Sequence, residues 1–237
     1  MESIANRLGA LDWNIIREDL HRKGFVTVKN VLNDDECNGL IQNYSTASCY
    51  RKTILMERYR FGLGEYKYFS YPLPSLVQTF REQVYQHIAP VANQWMREAG
   101  IEKQFPRTHA EMISQCHQNQ QLHPTPLILK YGKDGFNTLH QDLYGDIYFP
   151  IQILFVLNQA GRDFTGGEFV ITEQIPRAQS KANVLSPDKG DMVIFTTSFR
   201  PVRGSKGFYR VNMKHGVSPL HSGERYSMGI IFHDALS

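Results

Sequence analysis

The stretch "NTLHQDLYGDIYFPIQILFVLN", residues 137–158, contains two predicted strands with a turn between them. The first strand carries His140 and Asp142, and the second is almost wholly apolar. Side chains two positions apart on a strand point to the same face of a sheet. His140 and Asp142 would therefore offer an imidazole and a carboxylate from one rigid element, although a His-x-Asp pair alone is a weak motif.

The rest of the chain from Pro124 onward has the same character as this stretch. Short apolar or alternating runs are separated by Gly, Pro, Asp and Asn. There are eight such runs: PLILKYG, NTLHQD, FPIQILFVLN, GGEFVITE, ANVLSP, DMVIFTT, YRVNMKHGV and RYSMGIIFHD. Strands at this short spacing predict an antiparallel sandwich or barrel.

The residues before Pro124 have mainly helical patterns. Helices are predicted over residues 11–24, after Asn33 with a capping box to Glu36, over 75–100 with a kink at Pro90, and near 107–118. Residues 51–74 have no clean period and are predicted as loop and irregular strand. Since nothing marks a linker, we predict one α+β domain over 1–237, with mainly helical support and a lid over 1–123 and the β core over 124–237.

Bulk composition is that of an ordinary soluble globular protein. The chain has 237 residues, of which 41% are hydrophobic and 21% charged, and its net charge is +3. This mildly basic balance permits an anionic partner without requiring one. The three cysteines form no CxxC pair, which favours a reducing, cytoplasmic location. We expect no signal peptide and no membrane partner, because no apolar run approaches the roughly 18 residues that a span needs.

The second part of the candidate metal site lies near the end of the β region. His215 is followed ten residues later by Arg225 and then by Ser227. Two histidines and one carboxylate form the facial triad of non-haem Fe(II) oxygenases, which leaves coordination positions open. The planar guanidinium of arginine suits a carboxylate ligand, and Ser227 would share the strand face of Arg225.

The combined pattern resembles the Fe(II)/2-oxoglutarate-dependent dioxygenase superfamily. Similar features, in the same order, are GFVTVKNVLNDDEC, Tyr131 nine residues before His140, FTGGEFVITE and KGDMVIF. The resemblance implies a double-stranded β-helix (jelly-roll) core braced by N-terminal helices. It also implies Fe(II), O2 and 2-oxoglutarate, with oxidation of a substrate C–H bond and release of succinate and CO2. The implied metal ligands and catalytic residues are His140, Asp142 and His215, and the implied 2-oxoglutarate contacts are Arg225, Tyr131 and Ser227.

A closer resemblance is to a bacterial 2-oxoglutarate oxygenase family predicted to act on damaged, alkylated nucleic acid. It is carried by GLGEYKYFSYPLP, LHQDLYGD, GRDFTGGEFVITEQ and IIFHDA, and it spans nearly the whole chain. LHQD and Tyr131 are similar to AlkB-type demethylases, but Leu129 stands where those enzymes have Asn. The ten-residue spacing from His215 to Arg225 is closer to prolyl-hydroxylase-type enzymes. The predicted partner is alkylated DNA or RNA, with a protein or small-molecule substrate as the alternative.

Two basic segments with interleaved aromatic residues are candidate substrate lips. Between Met192 and Gly223 the chain has no acidic residue. The candidates there are Arg203, Lys206 and Arg210, with Arg200, Lys214, Phe199, Phe208 and Tyr209 nearby. The opposite lip would be formed by Arg58 and Arg60, with Arg51, Lys52, Tyr59 and Phe61. Such segments can hold phosphates and stack bases.

Several other residues have less specific patterns. We expect His221 to be exposed in its Pro/Ser/Gly turn and His233 to be structural or at the pocket edge. Tyr66, Tyr68, Phe69 and Tyr71 are predicted to pack in the core or a lid, and GLGEY to form a turn over the site. A non-catalytic cupin-like binding module is the alternative from another class, and the intact set of three ligands with Arg225 argues against it.

Overall fold

The computed structural model describes residues 2–142 and 145–237. Its helices are α1 (Ile4–Gly9), α2 (Trp13–Lys23), α3 (Asp34–Gln42), α4 (Ser75–Glu98) and α5 (His109–Gln118). Its first strands are β1 (Phe25–Val28), β2 (Tyr50–Leu55), β3 (Gly62–Leu63), β4 (Glu65–Phe69), β5 (Leu127–Tyr131), β6 (Phe136–His140) and β7 (Ile151–Val156). The remaining strands are β8 (Phe164–Gly166), β9 (Phe169–Gln174), β10 (Ser180–Leu185), β11 (Met192–Thr196), β12 (Phe199–Gly204), β13 (Gly207–Val217), β14 (Leu220–Gly223) and β15 (Arg225–Ile230).

The strands form two main antiparallel sheets. The larger sheet has the order β1-β11-β7-β15-β5-β4-β2, and the smaller has the order β10-β9-β13-β6-β3, with β12 paired to β13. A further pair joins β14 to β8. Each of the eight predicted strand runs overlaps a strand of the structure. The predicted jelly roll braced by helices is confirmed.

Strand β7 shows how the core is divided. All six of its residues are buried. Ile153 and Phe155 join the cluster between the larger sheet and the helices, whereas Leu154 and Val156 join the cluster between the two sheets. The strand is an unbroken apolar run because both of its faces lie against apolar layers.

The helices pack on the outer face of the larger sheet. Helix α3 begins with the predicted capping box, in which Asn33 and Glu36 exchange side-chain to backbone hydrogen bonds. Helix α4 runs through Pro90 and buries its apolar stripe, including Phe80, which packs on Phe155 of β7. No helix among the described residues is both long and apolar enough to cross a membrane.

Residues 50–69 are more regular than their composition predicts. They contribute β2 and β4 to the larger sheet and β3 to the smaller one. The register pairs Tyr66 with Leu129 and Gly62 with Asn137. The local sequence pattern does not predict these strands. Strand β4 is defined by its hydrogen bonds to β5, and strand β3 by its hydrogen bonds to β6.

Candidate metal centre and cofactor pocket

The three predicted metal ligands converge between the two sheets. His140 ends β6, Asp142 lies two residues beyond it, and His215 lies directly opposite His140 on β13. The Asp142 carboxylate oxygens are 3.4 Å from Nε2 of His140 and 3.4 Å from Nε2 of His215. One ligand atom from each residue lies within 4.8 Å of the other two. This spacing suits a single metal ion with an open coordination side.

Neighbouring groups orient the two imidazoles. Nδ1 of His140 donates a hydrogen bond to the Thr138 carbonyl at 2.7 Å, which directs Nε2 towards Asp142. The His215 ring packs 4.8 Å from the ring of Phe195 and 5.9 Å from that of Phe169. The Nδ1 atom of His215 has no hydrogen-bond partner among the described residues.

The electrostatic environment keeps the Asp142 carboxylate ionised, which favours binding of a cation. Burial raises the pKa of Asp142, but hydrogen bonds from His140 and His215 outweigh it and hold that pKa well below its usual value. Burial lowers the pKa of His140, but the hydrogen bond to Asp142 outweighs it and the net shift is upward. Burial lowers the pKa of His215. An ionised carboxylate beside two imidazoles is a donor set that fits Fe(II).

A cavity of about 310 Å³ opens beside these three residues. Its walls are mainly aromatic and aliphatic, and they include Tyr66, Tyr68, Gln152 and Phe195, which we did not predict as site residues. The sequence contained a signal for three of these four positions. Tyr66 and Tyr68 are two apart on one strand, and Gln152 is the polar residue in an otherwise apolar core strand. Gln152 is 4% exposed, and its Nε2 has no hydrogen-bond partner among the described residues.

Arg225 lies behind one wall of this cavity. It is 1% exposed, and its Nη1 donates a hydrogen bond to Ser227 Oγ at 3.0 Å. The guanidinium carbon is 5.8 Å from the centre of the Tyr131 ring, and Tyr131 and Ser227 both line the cavity. On its other side Arg225 borders a smaller cavity of about 210 Å³ with Gly167. Gly167 has a φ of +67°, and a Cβ atom there would come 2.6 Å from Leu220 Cδ1 and 3.1 Å from Arg225 Cδ.

Among the described residues no acidic side chain forms an ion pair with Arg225, although the Glu168 carboxylate raises its pKa from a distance. The buried Nε of Arg225 lacks a hydrogen-bond partner there. Burial outweighs the effect of Glu168 and lowers the pKa of this guanidinium. Because an unpaired buried charge is costly, the arrangement calls for an anionic ligand, and a 2-oxoglutarate carboxylate fits it.

Buried polar side chains hold the backbone at residues 147–149. Gln121 accepts a hydrogen bond from the Ile147 amide at 2.9 Å and donates one to the Ile147 carbonyl at 2.8 Å. The Phe149 amide donates a hydrogen bond to Nδ1 of His233. Burial lowers the pKa of His233 to about 4. His233 is thus placed as a structural residue, and His221 is exposed.

The basic residues of the two predicted lips do not line the cavity, although Phe61 of the second lip does. None of Arg203, Lys206, Arg210, Arg58 and Arg60 contributes to its wall. Arg203, Lys206 and Arg210 lie on the hairpin formed by β12 and β13, and Arg58 and Arg60 lie on an exposed turn after β2. The nearby Arg200 is paired with Glu173 at 2.9 Å.

Comparison with known proteins places this site in a family. A family model described as "Oxygenase, catalysing oxidative methylation of damaged DNA" matches residues 64–235, which include all three converging residues. The chain belongs to this family, Oxygenase-NA. The predicted enzyme class, an iron- and 2-oxoglutarate-dependent oxygenase, is confirmed at the level of family and fold.

This Oxygenase-NA chain is also similar to two mycobacterial proteins in sequence and to solved oxygenase structures in fold. Uncharacterized proteins of two Mycobacterium tuberculosis strains are 41% identical over 167 residues, which are 70% of this chain and 72% of theirs. The fold is similar to that of a Pseudomonas putida prolyl-4-hydroxylase, with a TM-score of 0.57, 14% identity and coverage of 94% of this chain and 100% of that one. It is also similar to a 2OG-Fe(II) oxygenase family oxidoreductase from Burkholderia pseudomallei, with a TM-score of 0.53, 13% identity and coverage of 95% and 93%.

Proposed function

We propose that this protein oxidises the alkyl group of a damaged base in DNA or RNA. In the proposal His140, Asp142 and His215 bind Fe(II), and Arg225, Ser227 and Tyr131 hold 2-oxoglutarate. One observation carries the proposal. The candidate metal site, with its Asp142 carboxylate, and the buried Arg225, which forms no ion pair among the described residues, lie beside the same cavity. When bound, iron and 2-oxoglutarate supply oxidation of a C–H bond coupled to formation of succinate and CO2.

The chain itself contributes binding, orientation and exclusion of water. The Thr138 carbonyl fixes the His140 ring. Tyr66, Tyr68 and Phe195 form an aromatic wall that would exclude water around a bound substrate. A base has to leave its stack to enter such a cavity. Oxidation of an N-methyl group gives a hydroxymethyl product that loses formaldehyde, so formaldehyde is the diagnostic product.

The family description favours a nucleic-acid substrate. We further propose that residues 1–237 act as a single oxygenase domain, because strands from before and after residue 124 share both sheets.

The deciding experiment measures succinate release on admitting oxygen to the anaerobically iron-loaded protein. It is run with and without a single-stranded oligonucleotide that carries one N-methylated base. His140→Ala removes a metal ligand, and His221→Ala removes an exposed histidine as its matched control. We expect the oligonucleotide to stimulate succinate release and to yield formaldehyde in the parent and in His221→Ala, but not in His140→Ala. Turnover that never responds to a methylated oligonucleotide would contradict the proposed substrate.

A second candidate is a protein hydroxylase. The ten-residue spacing between His215 and Arg225 favours it. The same assay with proline-containing peptides separates the two, because a stable alcohol would form on the peptide and no formaldehyde would be released.

A further inference from the structure

The turn before β3 carries two exposed aromatic rings in contact with each other. The rings of Tyr59 and Phe61 have centres 5.4 Å apart and planes inclined by only 19°. Tyr59 is 54% exposed and Phe61 is 44% exposed. Two parallel aromatic rings in water form a surface on which a further planar group can stack. We call Tyr59 and Phe61 the stacking pair.

The stacking pair lies at the rim of the cavity beside the candidate metal centre. Phe61 lines that cavity. Its carbonyl accepts hydrogen bonds from the Thr138 amide at 2.9 Å and from Thr138 Oγ1 at 2.8 Å. The Thr138 carbonyl in turn accepts the hydrogen bond from Nδ1 of His140. A continuous chain of hydrogen bonds therefore fixes the pair relative to a candidate metal ligand.

The backbone after the pair lies directly on β6. A Cβ atom at Gly62 would come 2.2 Å from the Phe136 carbonyl oxygen, and Gly62 has a φ of +147°. Only glycine permits this close approach. The turn is thus held against the strand that ends in His140.

The same turn is basic. Arg58 and Arg60 flank Tyr59 in sequence, both are exposed, and neither forms an ion pair within the described part of the chain. The turn has one acidic residue, the exposed Glu57. Cations beside stacked rings match a polymer that alternates phosphates with planar bases.

The other basic segment is too far away for this role. Lys206 at the tip of the β12–β13 hairpin is nine residues before His215, about 30 Å along an extended strand. Val211, Met213 and His215 are buried, whereas the alternate residues Arg210 and Lys214 are exposed. Arg210 and Lys214 therefore point away from the face of the sheet that holds His215.

We propose that the stacking pair binds the base next to the target base in a single strand of nucleic acid, while Arg58 and Arg60 contact the flanking phosphates. This inference rests on the proposed function and assigns the strand to the Arg58–Phe61 turn rather than to the hairpin. Stacking on the rim compensates for the stacking that the target base loses when it enters the cavity.

The test is binding of a fluorescein-labelled single-stranded oligonucleotide with one N3-methylcytosine, measured by anisotropy on the Mn(II)-loaded protein. We expect Tyr59→Ala and Phe61→Ala each to raise Kd about five- to hundredfold. Tyr59→Phe keeps a ring and is expected to bind like the parent. Phe208→Ala removes a ring that is 43% exposed on the hairpin, and we expect Kd to stay within about twofold.

The contribution of the two arginines is measured by the salt dependence of Kd. Each of Arg58→Gln and Arg60→Gln is expected to reduce the slope of log Kd against log salt concentration by about 0.7. Arg203→Gln and Lys206→Gln should leave that slope unchanged. Mn(II) content and the thermal midpoint of every variant establish that the fold is intact.

Three outcomes would overturn the inference. The first is unchanged Kd in Tyr59→Ala and Phe61→Ala when both are folded. The second is an equal or larger effect of Phe208→Ala. The third is a parent protein that turns over peptides and binds no oligonucleotide, which would also end the proposed function. In the first two outcomes the parent still responds to the methylated oligonucleotide, so the proposed function survives and only the assignment of the rim fails.

Discussion

At the scale of single residues, Arg225 and Gln152 each place one nitrogen atom in the interior that is not hydrogen-bonded to any described residue. These atoms are Arg225 Nε and Gln152 Nε2. Such groups destabilise a folded protein unless a ligand pairs with them. Each residue therefore leads to a prediction about binding or stability.

Arg225→Lys is expected to raise the KM for 2-oxoglutarate about ten- to hundredfold. Lysine keeps the charge but loses the planar fork, and a hydrogen bond to a charged group contributes about 1.5–3 kcal/mol. The rate of succinate release is measured against 2-oxoglutarate concentration. Calorimetry measures the binding of 2-oxoglutarate to the Mn(II)-loaded protein. Ser227→Ala serves as the milder comparison, and an unchanged KM in Arg225→Lys would remove Arg225 from the co-substrate site.

Gln152→Met is expected to stabilise the protein in the absence of substrate. The substitution nearly conserves volume and removes a buried amide nitrogen that has no hydrogen-bond partner among the described residues. The free energy of unfolding should therefore rise by about 1 kcal/mol, and Tm by about 2–4 °C. Chemical denaturation and calorimetry measure this. A less stable variant would show that the amide already has a partner.

At the scale of elements, a buried ion pair ties the C-terminal residues to α4. Arg81 Nη2 and Asp234 Oδ1 are 2.9 Å apart, and both side chains are fully buried. Asp234 also accepts hydrogen bonds from the Tyr71 hydroxyl at 2.8 Å and from His117 at 3.1 Å. The Asp234 carbonyl also accepts a hydrogen bond from Gln121, and His233 accepts one from the Phe149 amide. The network therefore extends to the backbone at residues 147–149.

Asp234→Asn is expected to lower the free energy of unfolding by about 3–5 kcal/mol near neutral pH, because it leaves Arg81 buried without its counterion. Burial raises the pKa of Asp234, but the charge of Arg81 and the hydrogen bond from Tyr71 outweigh it, so the pKa is lowered in the folded state. The stabilisation is thus present above the unfolded pKa and is lost as pH falls through the folded pKa. Urea titrations measure the free energy of unfolding of the parent and of the variant. The difference between these two free energies should become smaller over that acidic pH range. Asp188→Asn, at a largely exposed ion pair, should cost less than about 1 kcal/mol, and an equal cost would contradict the buried-charge explanation.

At the scale of the whole molecule, the larger sheet joins strands from both halves of the chain. Strands β1, β2 and β4 come from before residue 70, and they flank β11 and β5 from the second half. The helices cover the outer face of the same sheet. The β core is therefore not an independent unit bounded at residue 124.

A fragment of residues 124–237 is expected to aggregate or remain unfolded. It would expose the edges of β5 and β11 and the apolar face that α4 covers. Size-exclusion chromatography and circular dichroism, with the full chain as control, measure this. A monomeric, cooperatively folding fragment would contradict the expectation.

The sequence by itself determined the features that depend on local periodicity and side-chain chemistry. The eight strand runs and the Asn33 cap follow from alternation and capping chemistry, and both are present where expected. The candidate ligands His140, Asp142 and His215 follow from donor type, and they lie close together. Such signals are local because a strand alternates faces, and a helix begins at its cap, whatever lies nearby.

Only the tertiary structure decided which residues surround the metal centre. Tyr66 reaches the cavity because β4 pairs with β5, and Phe61 reaches its rim because Gly62 pairs with Asn137 of β6. The two basic segments look alike in composition, yet one borders the cavity and the other lies on the opposite face of its strand from His215. These differences depend on the register between strands distant in the chain, which is set by packing of the whole sheet and not by any short stretch of sequence.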